Sequence, residues 1–343
     1  MRVGIIGAGG VGVELVSYLL TLGNMSEIVL VNRNKDKAWA EMEDFSYVES
    51  FTYARNTHLH HGDYSDCSEC DVVVITAGAQ LKGNQTRDEL LGENATLIKT
   101  IVHELHTYAP NAIVIMVTNP VDVLTHIAFK EGLYPRERLI SAGTLVDTAR
   151  FMKIVSQKVG IDPKNINGYV LGEHGKGSTL PWSICNICGL DVDTFCELNG
   201  LPLLDKAQIY QDVIHAGFEI FYKKGNTNHS IAASVFRIIR AIANDEHSVL
   251  PLGVYLDGEY GLSDVVLNVP VVVTRQGATK ILNYKLLPEE LEALHVSAKV
   301  MQKWRTRCFR APSSISSLKS LAYLLRTFRC RFYAPSVWHP FFL

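Results

Sequence analysis

The sequence predicts an α/β protein, a doubly wound parallel sheet followed by a second domain of α+β type. Three observations carry that expectation. Short, wholly apolar segments alternate with helical patterns up to Gly160, the order expected of a parallel sheet with helices on both faces. The turn Gly7-Ala8-Gly9-Gly10-Val11-Gly12 joins the first apolar segment to the first helix. Beyond Gly160 the strand candidates become amphipathic and the helix candidates become long.

Val3 to Ile6 is a short buried strand, and Val11 to Leu22 follows it as a helix. Ile28 to Val31 is a second apolar strand, and Lys35 to Val48 is helical in pattern. Asp71 to Thr76 is a continuous apolar run, as expected of a strand covered on both faces. Asp88 to Tyr108 has helical periodicity and stops before Pro110, because proline cannot continue a helix. Ala112 to Val117 is a further buried strand closed by Thr118-Asn119-Pro120, and Leu145 to Val159 is a helix ended by Gly160. In the second part, Gly168 to Leu171 and Val265 to Val273 are strand candidates, the latter interrupted by Pro270. Gln208 to Lys223, Ser230 to Asn244 and Glu289 to Lys303 are helix candidates. The expected organisation is a first, doubly wound domain over 1–143, containing a mobile loop at 79–87, then an α+β domain over 144–303 and a basic tail over 304–343.

The chain has 343 residues, 47% hydrophobic and 20% charged, which is a folding composition. A formal charge of −2 gives no electrostatic case for nucleic acid, and no apolar run approaches the roughly 20 residues that span a bilayer. Seven cysteines without a disulfide framework suit a reduced, cytoplasmic protein. The tail breaks the average. From Gln302 to Leu343 there are eight Lys or Arg and no acid, which leaves the rest of the chain a formal −10. A basic amphipathic helix over Ser317 to Arg331, or a frameshifted gene end, would account for it.

The glycine turn fits G-x-G-x-x-G in the strand–turn–helix context that gives the pattern meaning. Gly7 permits the tight turn, Gly9 the approach of a pyrophosphate, and Gly12 the packing of helix on strand. The helix N-terminus then offers free N–H donors and partial positive charge to phosphate. An acid about 20 residues on would accept from the adenosine ribose. Asn32 stands there, followed by Arg33, so NAD is the expected cofactor and NADP is left open.

Three segments carry chemistry. Leu171-Gly172-Glu173-His174-Gly175 places a histidine, titrating near neutrality, between glycines at a strand end. Asp147 and Arg150 lie three apart on one helix, so one turn presents a carboxylate and a guanidinium on the same face. The loop from Ala77 and Gly78 to Arg87 leaves the carboxyl end of a buried strand, where open sheets bind ligands, and ends in a cation.

These segments resemble the L-lactate/malate dehydrogenase family. GAGGVG, DVVVITAG, TNPVD, GTLVDTAR, LGEHG and LDGEYGLSDVVLNVP stand in the family's order from Met1 to about Lys303. The resemblance implies a Rossmann domain and a catalytic domain in a homodimer or homotetramer. It makes His174 the general acid–base, Asp147 its orienting carboxylate, Arg150 the clamp on the substrate carboxylate and Arg87 the cation closing over the reacting carbonyl. Asn119 then contacts the carbonyl or the nicotinamide side, and Thr227 lines the pocket.

Substrate choice in the family resides six positions before the loop arginine, here Leu81. Lactate dehydrogenases resemble one another in Gln at that place and malate dehydrogenases in Arg. Leucine offers no partner to a second carboxylate, which argues against oxaloacetate unless Lys82 swings inward. The pattern resembles L-2-hydroxyisocaproate dehydrogenases, with pyruvate as the alternative substrate. Met152 and Asn167 replace the cations of relatives activated by fructose 1,6-bisphosphate, so that activation is not expected. An inactive nucleotide-binding relative is the competing class. No metal is expected: His58, His60 and His61 lie near Cys67 and Cys70, but the cysteines lead into a buried strand and suit a core role.

Overall fold

The computed structural model describes residues 1–51, 54–79 and 87–310, and for Arg87 and residues 305–310 the backbone alone. In chain order the elements are β1 (Arg2–Ile6), α1 (Gly10–Leu22), β2 (Glu27–Val31), α2 (Lys35–Ser46), β3 (His58–Gly62), β4 (Val72–Ile75), α3 (Arg87–Tyr108), β5 (Ile113–Met116), α4 (Val121–Lys130), β6 (Leu139–Ser141) and α5 (Leu145–Val159). There follow β7 (Ile166–Asn167), β8 (Leu171–Gly172), β9 (Ser178–Thr179), β10 (Asn186–Ile187), β11 (Leu190–Asp191), α6 (Val192–Leu198), α7 (Lys206–Lys224), α8 (His229–Ala243), β12 (Ser248–Asp257), β13 (Ser263–Thr274), β14 (Gly277–Ile281) and α9 (Pro288–Arg310).

Six parallel strands run in the order β3-β2-β1-β4-β5-β6. Their order reverses between β1 and β4, so the crevice at the carboxyl ends of those two strands is the place where a doubly wound sheet takes its ligand. The same sheet continues through antiparallel β12, β13, β8 and β9, with β14 paired to β13. β1, β4 and β5 are apolar and buried at almost every position because helices cover both of their faces. A smaller second core of Phe151, Val155, Ile187, Ile209 and Val213 lies under α5 and α7.

Two expectations are corrected. Pro270 does not interrupt its strand, and β13 runs unbroken from Ser263 to Thr274. Pro270 faces Pro251 of β12, and a pair of prolines can be accommodated where the two strands exchange no N–H bond. The strand expected over 168–171 is shorter and later, the two residues Leu171 and Gly172, because it only touches β13 at one rung before turning into the histidine loop.

Candidate active site

The glycine turn is shaped by close approach. Gly7 has φ +119°, and a Cβ there would lie 2.7 Å from the backbone N of Ala77. A Cβ on Gly12 would lie 2.0 Å from the carbonyl oxygen of Gly7. Gly9, the residue that caps the start of α1, faces open space, with nothing within 4 Å of where its Cβ would be. That combination, a pinned turn with an open face at a helix N-terminus, suits a pyrophosphate. Asn32 sits just past β2, where its Oδ1 accepts from the Ala8 N–H at 3.2 Å and its Nδ2 donates to the Asn34 carbonyl at 3.0 Å. It therefore braces the glycine turn, a role its sequence position did not suggest. Arg33 beside it is exposed.

Asn94 of α3 ties together the two neighbouring strand ends. Its Oδ1 accepts from the Ala79 N–H at 2.7 Å and its Nδ2 donates to the Asn119 carbonyl at 3.3 Å. Gly78 is needed beside it, since a Cβ would come within 2.6 Å of Thr118 Cγ2. Leu81 and Lys82 lie outside the described residues, as does the side chain of Arg87, whose backbone begins α3.

On the other side of the site, α5 carries Asp147 and Arg150. Asp147 uses both oxygens: Oδ2 meets His174 Nδ1 at 2.6 Å, and Oδ1 accepts from Arg150 Nη1 at 2.7 Å. Burial works against protonating His174, but the Asp147 carboxylate outweighs it and holds the imidazole pKa above its ordinary value. Burial likewise opposes the charge on Asp147, and His174 and Arg150 together hold it ionised. His174 leaves 23% of its side chain exposed, so the ring edge away from Asp147 remains within reach of a ligand. Arg150 spends one donor on Asp147. Its Nε is buried with no hydrogen-bond partner among the described residues, an orphan that calls for an acceptor. The guanidinium lies along α7 at Gly217, where a Cβ would sit 3.1 Å from Nη1.

A buried network holds the histidine loop. Asp122 of α4 accepts from the His174 backbone N–H at 2.7 Å through Oδ2, and from Ser141 and Asn268 at 3.0 Å through Oδ1. Asn268 of β13 also donates to the Gly172 carbonyl at 2.8 Å. From α9, the Ser297 hydroxyl accepts from the Glu173 N–H at 2.7 Å. Burial pushes the Asp122 carboxyl pKa up. Asp122, Asn268, Ser297, Asn94 and Gly217 were not singled out in the sequence. The signal available for Asp122 and Asn268 was their place in the motifs TNPVD and LDGEYGLSDVVLNVP. Thr227 lies partly buried in the α7–α8 connection, and the next residue, Asn228, packs its Cβ near Gly10 of the glycine turn. The helix that touches Arg150 therefore leads into a segment that touches the nucleotide turn.

Residues 1–141 match the family model described as lactate/malate dehydrogenase, NAD binding domain, and residues 144–310 match that of the alpha/beta C-terminal domain. The chain belongs to the lactate/malate dehydrogenase family. It is 41% identical over 304 residues to L-lactate dehydrogenase 1 of Clostridium acetobutylicum, covering 88% of this chain and 96% of that protein. It is 37% identical over 304 residues to an L-lactate dehydrogenase of Acetivibrio thermocellus, covering 88% and 95%. Among solved structures it resembles a lactate dehydrogenase from a Medee basin deep-sea metagenome, with a TM-score of 0.86, 34% identity and coverage of 90% of this chain and 98% of that one. The minor L-lactate dehydrogenase of Enterococcus mundtii, in a ligands-bound form, gives 0.85, 32%, 89% and 97%. As a member of this family the protein is an NAD-dependent oxidoreductase acting on the CH–OH group of a 2-hydroxy acid. Residues beyond 310 lie outside both family models and outside the described residues. Among the described residues no helix is long and apolar enough to cross a membrane.

Proposed function

We propose that this dehydrogenase interconverts an aliphatic 2-oxo acid and its (S)-2-hydroxy acid, with residues 1–143 holding the nucleotide and 144–303 the substrate. The observation that carries the proposal is the His174–Asp147–Arg150 constellation, a proton carrier, its counter-ion and an orphaned buried donor within one cluster. The nucleotide pyrophosphate would rest over Gly9 at the start of α1, with Gly7 and Gly12 shaping the turn and Gly78 and Asn119 bordering the nicotinamide end. Asn32 and Arg33 carry no charge that repels a 2′-phosphate, so NADPH is admitted beside NADH. When bound, the nicotinamide supplies the hydride chemistry.

The chain's own residues do the rest. Arg150 binds the substrate carboxylate through its Nε and Nη2 edge, since Nη1 is held by Asp147. Thr227 lines the pocket and Asn119 polarises the carbonyl. Arg87 approaches the carbonyl oxygen from the start of α3. His174 holds the proton on the nitrogen away from Asp147, delivers it to the carbonyl oxygen during reduction, and takes it back during oxidation. Position and charge, set before the reaction begins, lower the barrier. Two or four copies would assemble. With Met152 and Asn167 offering no cation, fructose 1,6-bisphosphate leaves the rate unchanged.

Leu81 sets the side-chain preference. With NADH, kcat/KM is expected to be higher for 2-oxo-4-methylpentanoate than for pyruvate, and far lower for oxaloacetate. One methylene in an apolar pocket is worth about 1–3 kcal/mol and pyruvate lacks three of this acid's side-chain carbons, so the first margin is at least on the order of tenfold. Leu81→Gln shifts the preference to pyruvate and Leu81→Arg to oxaloacetate. Steady-state kinetics on the three acids, with NADH and NADPH, measures this. A pyruvate preference in the unaltered chain would make lactate the substrate, and an unchanged order in both variants would remove Leu81 from the pocket.

The titration of His174 gives a second expectation. Reduction needs the imidazolium, so its kcat/KM is full below the raised pKa and falls as pH increases through it. Oxidation needs the neutral ring and rises over the same interval. Asp147→Asn removes the charge that raises this pKa, so both limbs move to lower pH. Profiles of kcat/KM in the two directions measure it, and limbs that stay in place would rule out the His174–Asp147 pair as their origin.

A further inference from the structure

At the outer edge of the sheet lies a cluster that the proposed reaction does not use. β3 reads His58-Leu59-His60-His61-Gly62, and the two-residue period of a strand puts His58 and His60 on one face. β2 pairs with it so that Glu27 stands opposite His58 and Val29 opposite His60. Both imidazoles converge on one atom: His58 Nδ1 lies 3.1 Å and His60 Nε2 2.9 Å from Glu27 Oε1, with the rings stacked at 4.7 Å. The other carboxylate oxygen, Oε2, is held 3.3 Å from Arg2 Nε, which fixes the direction in which Oε1 points.

We propose that Glu27, His58 and His60 form a binding site for a divalent transition-metal cation of the Zn(II) type, with water completing its coordination. The three ligand atoms lie within 4.8 Å of one another. Ligands at about 2.0–2.2 Å around a tetrahedral centre stand roughly 3.3–3.6 Å apart, a little more than the two His–Glu27 spacings already present. For both histidines to bond one oxygen without metal, each must donate a proton to it, and a single cation replaces both protons. Imidazole donors favour zinc, copper, nickel or cobalt over magnesium or calcium, which take oxygen ligands. His58, with 69% of its side chain exposed, supplies the entry path and the open side for water. The thiols of Cys67 and Cys70 are buried against Gly4 of β1, two strands in from β3, and are not among the ligand atoms.

Spacing along the chain does not bring these three residues together, because the third, Glu27, comes from the neighbouring strand. Among the described residues β3 pairs with the sheet along one side alone, and the cation would cross-link it to β2. Glu27 opens β2 and Asn32 lies beyond its other end, roughly 16 Å away at about 3.3 Å per residue, so the metal acts on stability and leaves the chemistry alone.

The test uses the full chain, stripped of metal, titrated with Zn(II) by calorimetry and with Co(II) by visible absorption. His58→Gln, His60→Gln and Glu27→Gln are compared with the unaltered protein. One equivalent of Zn(II) that raises the Tm, and a Co(II) spectrum without thiolate charge-transfer bands, are expected in the unaltered chain. That equivalent is lost in His58→Gln, whose metal-free Tm stays unchanged because the side chain is exposed, and equally in the other two. NADH binding is retained throughout. An unaltered chain that takes up no Zn(II), or an equal number of equivalents in His58→Gln and the unaltered protein, would overturn the proposal.

Discussion

Replacing His174 by alanine is expected to lower kcat in both directions by about a thousandfold or more, while KM for the 2-oxo acid and Kd for NADH change little. General acid–base catalysis contributes on the order of 10²–10⁴ in rate, and the upper part of that range applies because the donor's pKa is raised and its ring is aimed by Asp147. The selectivity of the effect follows from the layout. The side chain of His174 contacts Asp147, whereas its backbone N–H is what Asp122 holds. Truncation at Cβ therefore leaves the loop anchored and removes only the imidazole. Steady-state kinetics with parallel measurement of NADH fluorescence checks this. A variant that keeps a tenth of the rate would move the proton transfer to another group or to water.

Substituting Arg150 by glutamine is expected to be comparably severe but to appear in a different parameter. Removing one partner of a buried, hydrogen-bonded charge pair costs about 2–5 kcal/mol, so kcat/KM for the 2-oxo acid falls by about 30-fold to several thousandfold, chiefly through KM. Lysine is expected to recover only part of the loss, because a point charge cannot form the two-bond fork. Arg150 also opposes the protonation of His174, so its removal raises the His174 pKa further and carries the reduction limb to higher pH. That movement is opposite to the one expected for Asp147→Asn. The two profiles together test whether the three residues act as one electrostatic unit. Equal KM values for Arg150→Gln and the unaltered chain would place the substrate carboxylate elsewhere.

The parts of this fold legible in the sequence are those whose environment is uniform. β1, β2, β4 and β5 are read from short apolar runs because layers on both faces impose one chemistry on nearly every position. β3 escapes because it is an edge strand made mostly of histidines, with one face served by Glu27. β12 escapes because Pro251 and Gly253 read as a turn, whereas the strand uses both, one opposite another proline and one against Ser141. α4 follows Asn119-Pro120 so closely that its buried Asp122 and His126 break the apolar pattern. The site divides in the same way. His174, Asp147 and Arg150 carry their own motifs, and the structure brings them together. What holds them is contributed by Asp122, Asn268 and Ser297, which stand 52, 94 and 123 residues from His174; the first two fall inside the motifs TNPVD and LDGEYGLSDVVLNVP, but nothing along the chain marks them as supports of the histidine loop.

The continuity of the sheet also bears on recombination between relatives. A chimera joined after Ser141 would appear to exchange a nucleotide module for another of the same kind. Yet Ser141 and Asp122, upstream of the joint, meet Asn268 and Gly253 downstream of it, and a Cβ on Gly253 would fall 2.0 Å from the Ser141 hydroxyl. A graft succeeds only if the donor brings the same small residue and the same amide into register with the recipient's acid. The seam that matters for swapping halves of this enzyme is therefore not the place where the chain passes from one to the other, but the β6–β12–β13 junction, where residues distant in sequence must be inherited as a set.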